Sequence, residues 1–245
     1  PDRIGNIPGT SGIMLQILEE NLGKLDQMMD MGADPIAQQK RRIGNYERIG
    51  GRCFANKDYD KALEYYKKAL SIGVELDESG KIENYRGLII DYYNIGWILT
   101  EQGKLEEGWG AHQKALELAQ KQVMITDDNQ SKYDLSVCYQ YCGDVKKQMG
   151  DINKSYEYYN KAMEIGEELS KDKSTISYSR ALAVYYGKLA DIEMERGNYE
   201  EAKKHMISNI QVKEEIAKDK ANIEKLSAES AGGHHPYVDL CKGYY

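Results

Sequence analysis

A chain of 245 residues, 41% hydrophobic and 30% charged, is long enough to bury a sizeable core and polar enough to remain soluble. Its net charge of −7 argues against nucleic acid or an anionic membrane as the main partner. No apolar run approaches the ~20 residues of a membrane span and no secretory leader is read; the four cysteines, read as reduced thiols, give the expectation of a cytoplasmic location.

Residues 1–12 are rich in glycine and proline and read as a linker or arm. Residues 13–33 follow as the second helix of an incomplete repeat, with Leu15, Leu18, Leu22, Leu25 and Met29 on one side. Asp34-Pro35 then opens a new helix, with proline in its first turn. Apolar spacing predicts helices over 36–55, 59–77, 81–102, 105–125, 130–149, 152–170, 174–196 and 199–218. Residues 219–236 read as a helix extension and a loop containing His234-His235. Residues 237–245 look like the start of a fifth repeat, so the natural protein is expected to be longer, with an effector domain outside this chain. The small number of prolines, four, suits long uninterrupted helices.

Residues 34–218 are internally repetitive. The stretch Lys57–Leu70 returns from Gly103, Gly150 and Gly197, at intervals of 46, 47 and 47 residues. A small–aromatic–small set runs along one stripe of each copy. It is Ala62, Tyr66 and Ala69 in the first, then Gly108, His112 and Ala115. The third has Ser155, Tyr159 and Ala162, and the last has Ala202, Met206 and Asn209. Each copy follows a helix with an aromatic, an apolar residue three on and then a small residue, as in Tyr46, Ile49 and Gly50 or Tyr92, Ile95 and Gly96. The unit is therefore two amphipathic helices joined by a short turn. Three of the four turns carry glycine; the first has Lys57 instead.

These two sets resemble the signature positions of the tetratricopeptide repeat family, in a lengthened form similar to that of bacterial signalling proteins. Asp134-Leu135-Ser136-Val137 before the third aromatic adds to the likeness. The last copy departs most, with Ala190, Met206 and Asn209 in place of glycine, aromatic and alanine. The resemblance implies an all-α fold, a right-handed superhelical solenoid of antiparallel helix pairs. It also implies that the first helix of each pair lines a concave groove. Carried over residue by residue, the groove candidates are Glu47, Gly51 and Phe54 on the first such helix, and Tyr93, Trp97 and Glu101 on the second. Gln140, Asp144 and Gln148 come from the third, and Gly187, Asp191 and Glu195 from the fourth. Tyr93 and Trp97 form an aromatic stripe of the kind favoured at binding hot spots; packing between repeats is the other reading of Trp97. The polar candidates are mainly acidic, which suits a protein or peptide segment with basic residues and an apolar anchor. Some family members clamp a carboxylate with lysines and asparagines; Glu47, Gly51, Tyr93 and Trp97 stand at the matching places here and do not fit that use.

No Walker-type glycine loop, His-Glu-x-x-His or Gly-x-Ser-x-Gly occurs, and Gly9–Gly12 reads as linker. Cys53, Cys138, Cys142 and Cys241 show no framework spacing and read as reduced thiols, with Cys138 and Cys142 as small packers. His112 takes a packing position. The expectation is thus a non-enzymatic interaction scaffold with no cofactor and no metal. The other reading is a sensory or regulatory array that controls a domain of a larger signalling protein. Exposed ends of a cut solenoid could also drive self-association.

Overall fold

The structure, a computed structural model, describes residues 10–30, 34–80 and 85–229. Among the described residues the regular structure is all helical: α1 (Thr10–Asp30), α2 (Pro35–Ala55), α3 (Tyr59–Glu78), α4 (Arg86–Glu101), α5 (Leu105–Thr126), α6 (Asn129–Gln148), α7 (Ile152–Leu169), α8 (Ile176–Glu195) and α9 (Tyr199–Glu229). Helices α3, α5, α7 and α9 begin at the 46- and 47-residue intervals read from the sequence. Two helix starts differ by more than two residues. Helix α1 begins at Thr10, inside the glycine-rich opening. Helix α4 starts at Arg86, with Tyr85 as its N-cap; part of the helical span expected from residue 81 lies outside the described residues. Helix α9 runs on to Glu229. The loop with His234-His235, Cys241 and the expected fifth repeat also lie outside the described residues.

The four turns within helix pairs share one geometry, and it explains the glycines. Lys57, Gly103, Gly150 and Gly197 all have positive φ, between 61° and 81°. Each donates its N–H to the carbonyl three residues back, and the next residue donates to the carbonyl five back. This closes the helix end with carbonyls that would otherwise lack partners. The following helix is capped by aspartate in two of these turns: Asp58 accepts from the Lys61 N–H and Asp151 from the Lys154 N–H.

The chain divides into two compact units, residues 2–155 and 156–245, with the boundary inside α7. In the first unit α2 packs against α3, α4 against α5, and α6 against both α5 and α4. Ile49, Ala62 and Ile98 are fully buried, and Leu18, Cys53, Tyr66, Ile95 and Leu99 join them in one core. Each large apolar side chain buried in this way is worth about 1.5–3 kcal/mol. The small residues set the spacing. A Cβ on Gly96 would lie 2.7–2.9 Å from the ring atoms of His112, and one on Gly50 would lie 3.2 Å from the Tyr66 ring. The aromatic of one helix thus lies flat on the glycine of its partner.

In the second unit α8 packs against α9. Leu182, Ala183, Tyr185, Leu189, Ala190 and Ile192 of α8 are buried. Gly166 of α7 sits against Tyr185 and Leu182, where a Cβ would meet ring and methyl atoms at 3.0–3.3 Å. Ala202 is buried on α9, whereas Tyr199, Met206, Ile207 and Ile210 are exposed.

Candidate binding site on the first helices of the pairs

In the first unit, α2, α4 and α6 bring the aromatic candidates into contact. Phe54, at the end of α2, packs on Trp97 of α4 with ring centroids 4.5 Å apart, and on Tyr59 at 5.6 Å. Trp97 lies 6.5 Å from Tyr141 of α6, and Tyr141 stacks on Tyr93 of α4 at 4.8 Å. The result is a ladder, Phe54–Trp97–Tyr141–Tyr93, carried by the first helices of three successive pairs. All four rings are half-buried. Trp97 therefore both packs between repeats and presents surface. Behind the ladder, His112 of α5 is buried and stacks on Tyr141 at 5.7 Å, with the rings 7° from parallel. Burial lowers its imidazole pKa to about 4, so it stays neutral.

Tyr141 was not among the sequence candidates. Its contact with Tyr93 spans 48 positions, one repeat plus one residue. The ion pair Arg86 Nε–Asp134 Oδ2, at 2.9 Å, joins α4 and α6 with the same offset. Neighbouring first helices thus meet one residue out of step with the repeat, which a comparison of equivalent positions does not reveal.

The acidic candidates fall into different settings. Glu101 is exposed at the end of α4. Asp144 is half-buried and accepts from Gln140 Nε2 at 3.4 Å. Glu47 is half-buried, and burial raises its carboxyl pKa against the pull of Arg48. A second acid, absent from the sequence candidates, faces it. Asp91 of α4 is 1% exposed, and burial beside Glu47 raises its pKa to about 8.

In the second unit, Gly187 and Asp191 line a cleft of about 530 Å³ between α8 and α9. Its cations outnumber its acid: Arg180, Lys188 and Lys213 surround Asp191, with Val184 and Ile216 as apolar wall. The surroundings of Asp191 are therefore not acidic overall. The amide of Asn209, also on the cleft, donates to the Ala183 carbonyl. Glu195 is exposed at the end of α8.

Cys53, Cys138 and Cys142 are buried free thiols. Burial raises all three pKa values, that of Cys142 to about 12, which keeps them protonated and unreactive. Among the described residues no cluster of three or more His, Cys, Asp or Glu is placed to hold a metal, and no helix is long and apolar enough to cross a membrane.

This arrangement is that of a helix-pair repeat protein with a structured face on its first helices. The tetratricopeptide repeat family model matches residues 44–72 and 135–167, so the α2–α3 and α6–α7 pairs are tetratricopeptide repeats. No curated protein matches the chain by sequence. Solved structures share the fold at low identity. A Rap protein complexed with competence and sporulation factor superposes with a TM-score of 0.60 at 16% identity, over 84% of this chain and 52% of that one. MamA gives 0.51 at 16% identity, over 82% and 91%. BtubC of P. vanneervenii gives 0.50 at 12% identity, over 92% and 94%. The chain spans about half the length of the Rap protein it matches. Tetratricopeptide repeats are typically non-enzymatic protein–protein interaction modules.

Proposed function

We propose that the chain is a non-enzymatic scaffold that binds a protein segment along the first helices of its pairs, anchored on the ladder Phe54–Trp97–Tyr141–Tyr93. The ladder carries the reading. Four large rings contact one another across the first helices of three pairs and yet keep part of their surface in solvent. Rigid, half-exposed aromatics offer contact area at little entropic cost, which is why they dominate binding hot spots. Glu47, Glu101 and Asp144 lie on the same three helices, so a segment with basic residues around an apolar anchor complements this face in charge.

Selection from a displayed peptide library tests this directly. Wild type should enrich peptides that combine an apolar residue with lysine or arginine. The Tyr93→Ala/Trp97→Ala variant, matched for thermal stability, should bind them about 30-fold more weakly, because loss of one strong hot spot costs about 2 kcal/mol. Raising salt from about 0.05 M to about 0.5 M should weaken the same complexes. Peptides that bind both proteins equally would remove the ladder from the site, and salt-insensitive binding would remove the acids.

A regulatory array is the second reading, supported by the fold shared with a Rap protein solved with a bound factor and by its greater length. On this reading ligand binding changes the pitch of the helix stack and so controls a further domain. Small-angle scattering with a selected peptide separates the two: compaction favours regulation, and an unchanged profile favours a passive scaffold.

A further inference from the structure

Three carboxylates are buried among the described residues: Asp91, Asp134 and Glu193. Two of them are fully engaged. Asp134 pairs with Arg86 at 2.9 Å and accepts from Gln130 at 2.9 Å. Glu193 pairs with Arg196 at 3.3 Å and accepts from Asn198 at 2.6 Å. Asp91 differs. It is only 1% exposed, and its Oδ1 is buried with no hydrogen-bond partner in the protein. A buried acceptor left unmatched costs about 1–3 kcal/mol, more when charged.

The groups around Asp91 sharpen the contrast. From α2 it faces Glu47, a second acid. From α3 it faces the phenol of Tyr66, whose ring lies under Gly50 and whose hydroxyl lies 3.6 Å from a Cβ built on Gly51. Glu47 Oε1 of α2 lies 3.8 Å from a Cβ built on Gly87 of α4, one turn before Asp91, and Tyr93 of α4 and Cys53 of α2 are further titratable neighbours of Tyr66. Arg48, beside Glu47, opposes the rise that burial causes there. Two acids on the first helices of neighbouring pairs, one of them with an unmatched oxygen, therefore lie close together beside Tyr66.

We propose that Glu47 and Asp91 form a cation subsite of the groove, which takes the ammonium group of a lysine side chain from the bound segment. An ammonium supplies what the pair lacks: a compact positive charge with three donors. A metal ion is the poorer fit, because no third ligand of the metal-binding type is at hand among the described residues. The subsite deepens the groove reading and rests on it for the source of the lysine. Its occupation is coupled to loss of the Asp91 proton, so binding strengthens as pH rises towards about 8.

The test uses n-butylammonium, which carries the end of a lysine side chain and stays charged over this range, with n-butanol as its neutral counterpart. Carbon-detected NMR of the Asp and Glu carboxyl groups follows the whole chain. The ammonium should move the Asp91 and Glu47 signals with millimolar saturation, and butanol should not. Below about pH 8 the affinity should fall about tenfold per pH unit. Asp91→Asn should weaken binding at least tenfold, whereas Glu107→Gln, at an exposed acid on α5, should leave it unchanged. Absence of a saturating shift at these two carboxyls, equal shifts with butanol, or full binding by Asp91→Asn would each overturn the subsite. None of these results depends on peptide selection, so the groove reading stands or falls separately on the Tyr93→Ala/Trp97→Ala comparison.

Discussion

Helices α3 and α9 hold the same place in their pairs and meet different fates. Tyr66 of α3 is buried against Gly50 of α2, and its repeat equivalents His112 and Tyr159 are also buried. Met206 of α9, at the same position, is 52% exposed. The difference extends along the stripe. Ala69, Ala115 and Ala162 are buried, whereas their equivalent Asn209 turns its amide onto the Ala183 carbonyl. Gly73, Ala119 and Gly166 are buried too, and Gly73 and Gly166 lie against Leu88 of α4 and Tyr185 of α8; the next equivalent is Lys213, exposed on the cleft. An inner helix of the array needs small residues because a further helix lies on it. Helix α9 has polar residues at those positions, as a helix needs when one face meets water.

Truncating the two equivalent side chains should give the largest contrast. Tyr66→Ala removes a buried ring from a glycine seat and should cost about 3–5 kcal/mol. Met206→Ala removes a half-exposed side chain and should cost less than about 1 kcal/mol. Urea titration followed by helix signal measures both. A large loss at Met206 would mean that α9 is covered in solution and that the contrast with α3 does not hold.

The pH dependence of stability sharpens the contrast between buried groups. Asp91 moves from 3.8 to about 8 on folding, so the folded chain holds its proton more tightly. Its contribution is full at low pH and is lost as pH rises from about 4 to about 8. Burial raises Glu47 as well, with the same sign. His112 moves from 6.5 to about 4, so its contribution is full above 6.5 and is lost as pH falls towards 4. Each slope is at most about 1.4 kcal/mol per pH unit. The two oppose each other between about pH 4 and 6.5, and above that the acids alone remain, so wild type should lose stability from about pH 6.5 to 8. Asp91→Asn should largely remove this decline and expose a rise between pH 4 and 6.5. His112→Tyr should leave a fall across the whole range. Chemical denaturation at a series of pH values distinguishes the three profiles.

The helix pairs and their turns were legible in the sequence because their signals are local. The stripe Ala62–Tyr66–Ala69 and the turn glycines recur at fixed offsets, and the short contacts that enforce them lie within one pair. Tyr141 and Asp91 were not legible for the same reason. Tyr141 matters through rings on another repeat, 48 residues from Tyr93 and 44 from Trp97. A single aspartate on an amphipathic helix reads as part of a solvated face; only the placement of α2 beside α4 turns it into a buried acid. The cations around Asp191 likewise come from two helices, so a list of first-helix residues shows the acid and misses Lys213.

The smallest effect concerns the turns, where the first pair departs from the other three. Lys57 has φ +61° where Gly103, Gly150 and Gly197 have +75° to +81°. A side chain in this left-handed region crowds the following carbonyl at a cost of about 1–2 kcal/mol, which glycine avoids. Glycine in turn raises the entropy of the unfolded chain and offsets part of that gain. Lys57→Gly should therefore stabilise by about 0.5–1 kcal/mol, and Gly197→Ala should destabilise by about 1 kcal/mol. Both turns close with the same two backbone hydrogen bonds, Lys57 N–H to the Phe54 carbonyl and Asp58 N–H to that of Cys53, against Gly197 to Met194 and Asn198 to Glu193. Backbone geometry being shared, the opposite signs isolate the side-chain term. If Lys57→Gly leaves the urea midpoint unchanged, the lysine must recover its strain elsewhere in the folded chain, and a salt-dependent midpoint in wild type alone would identify that recovery as electrostatic.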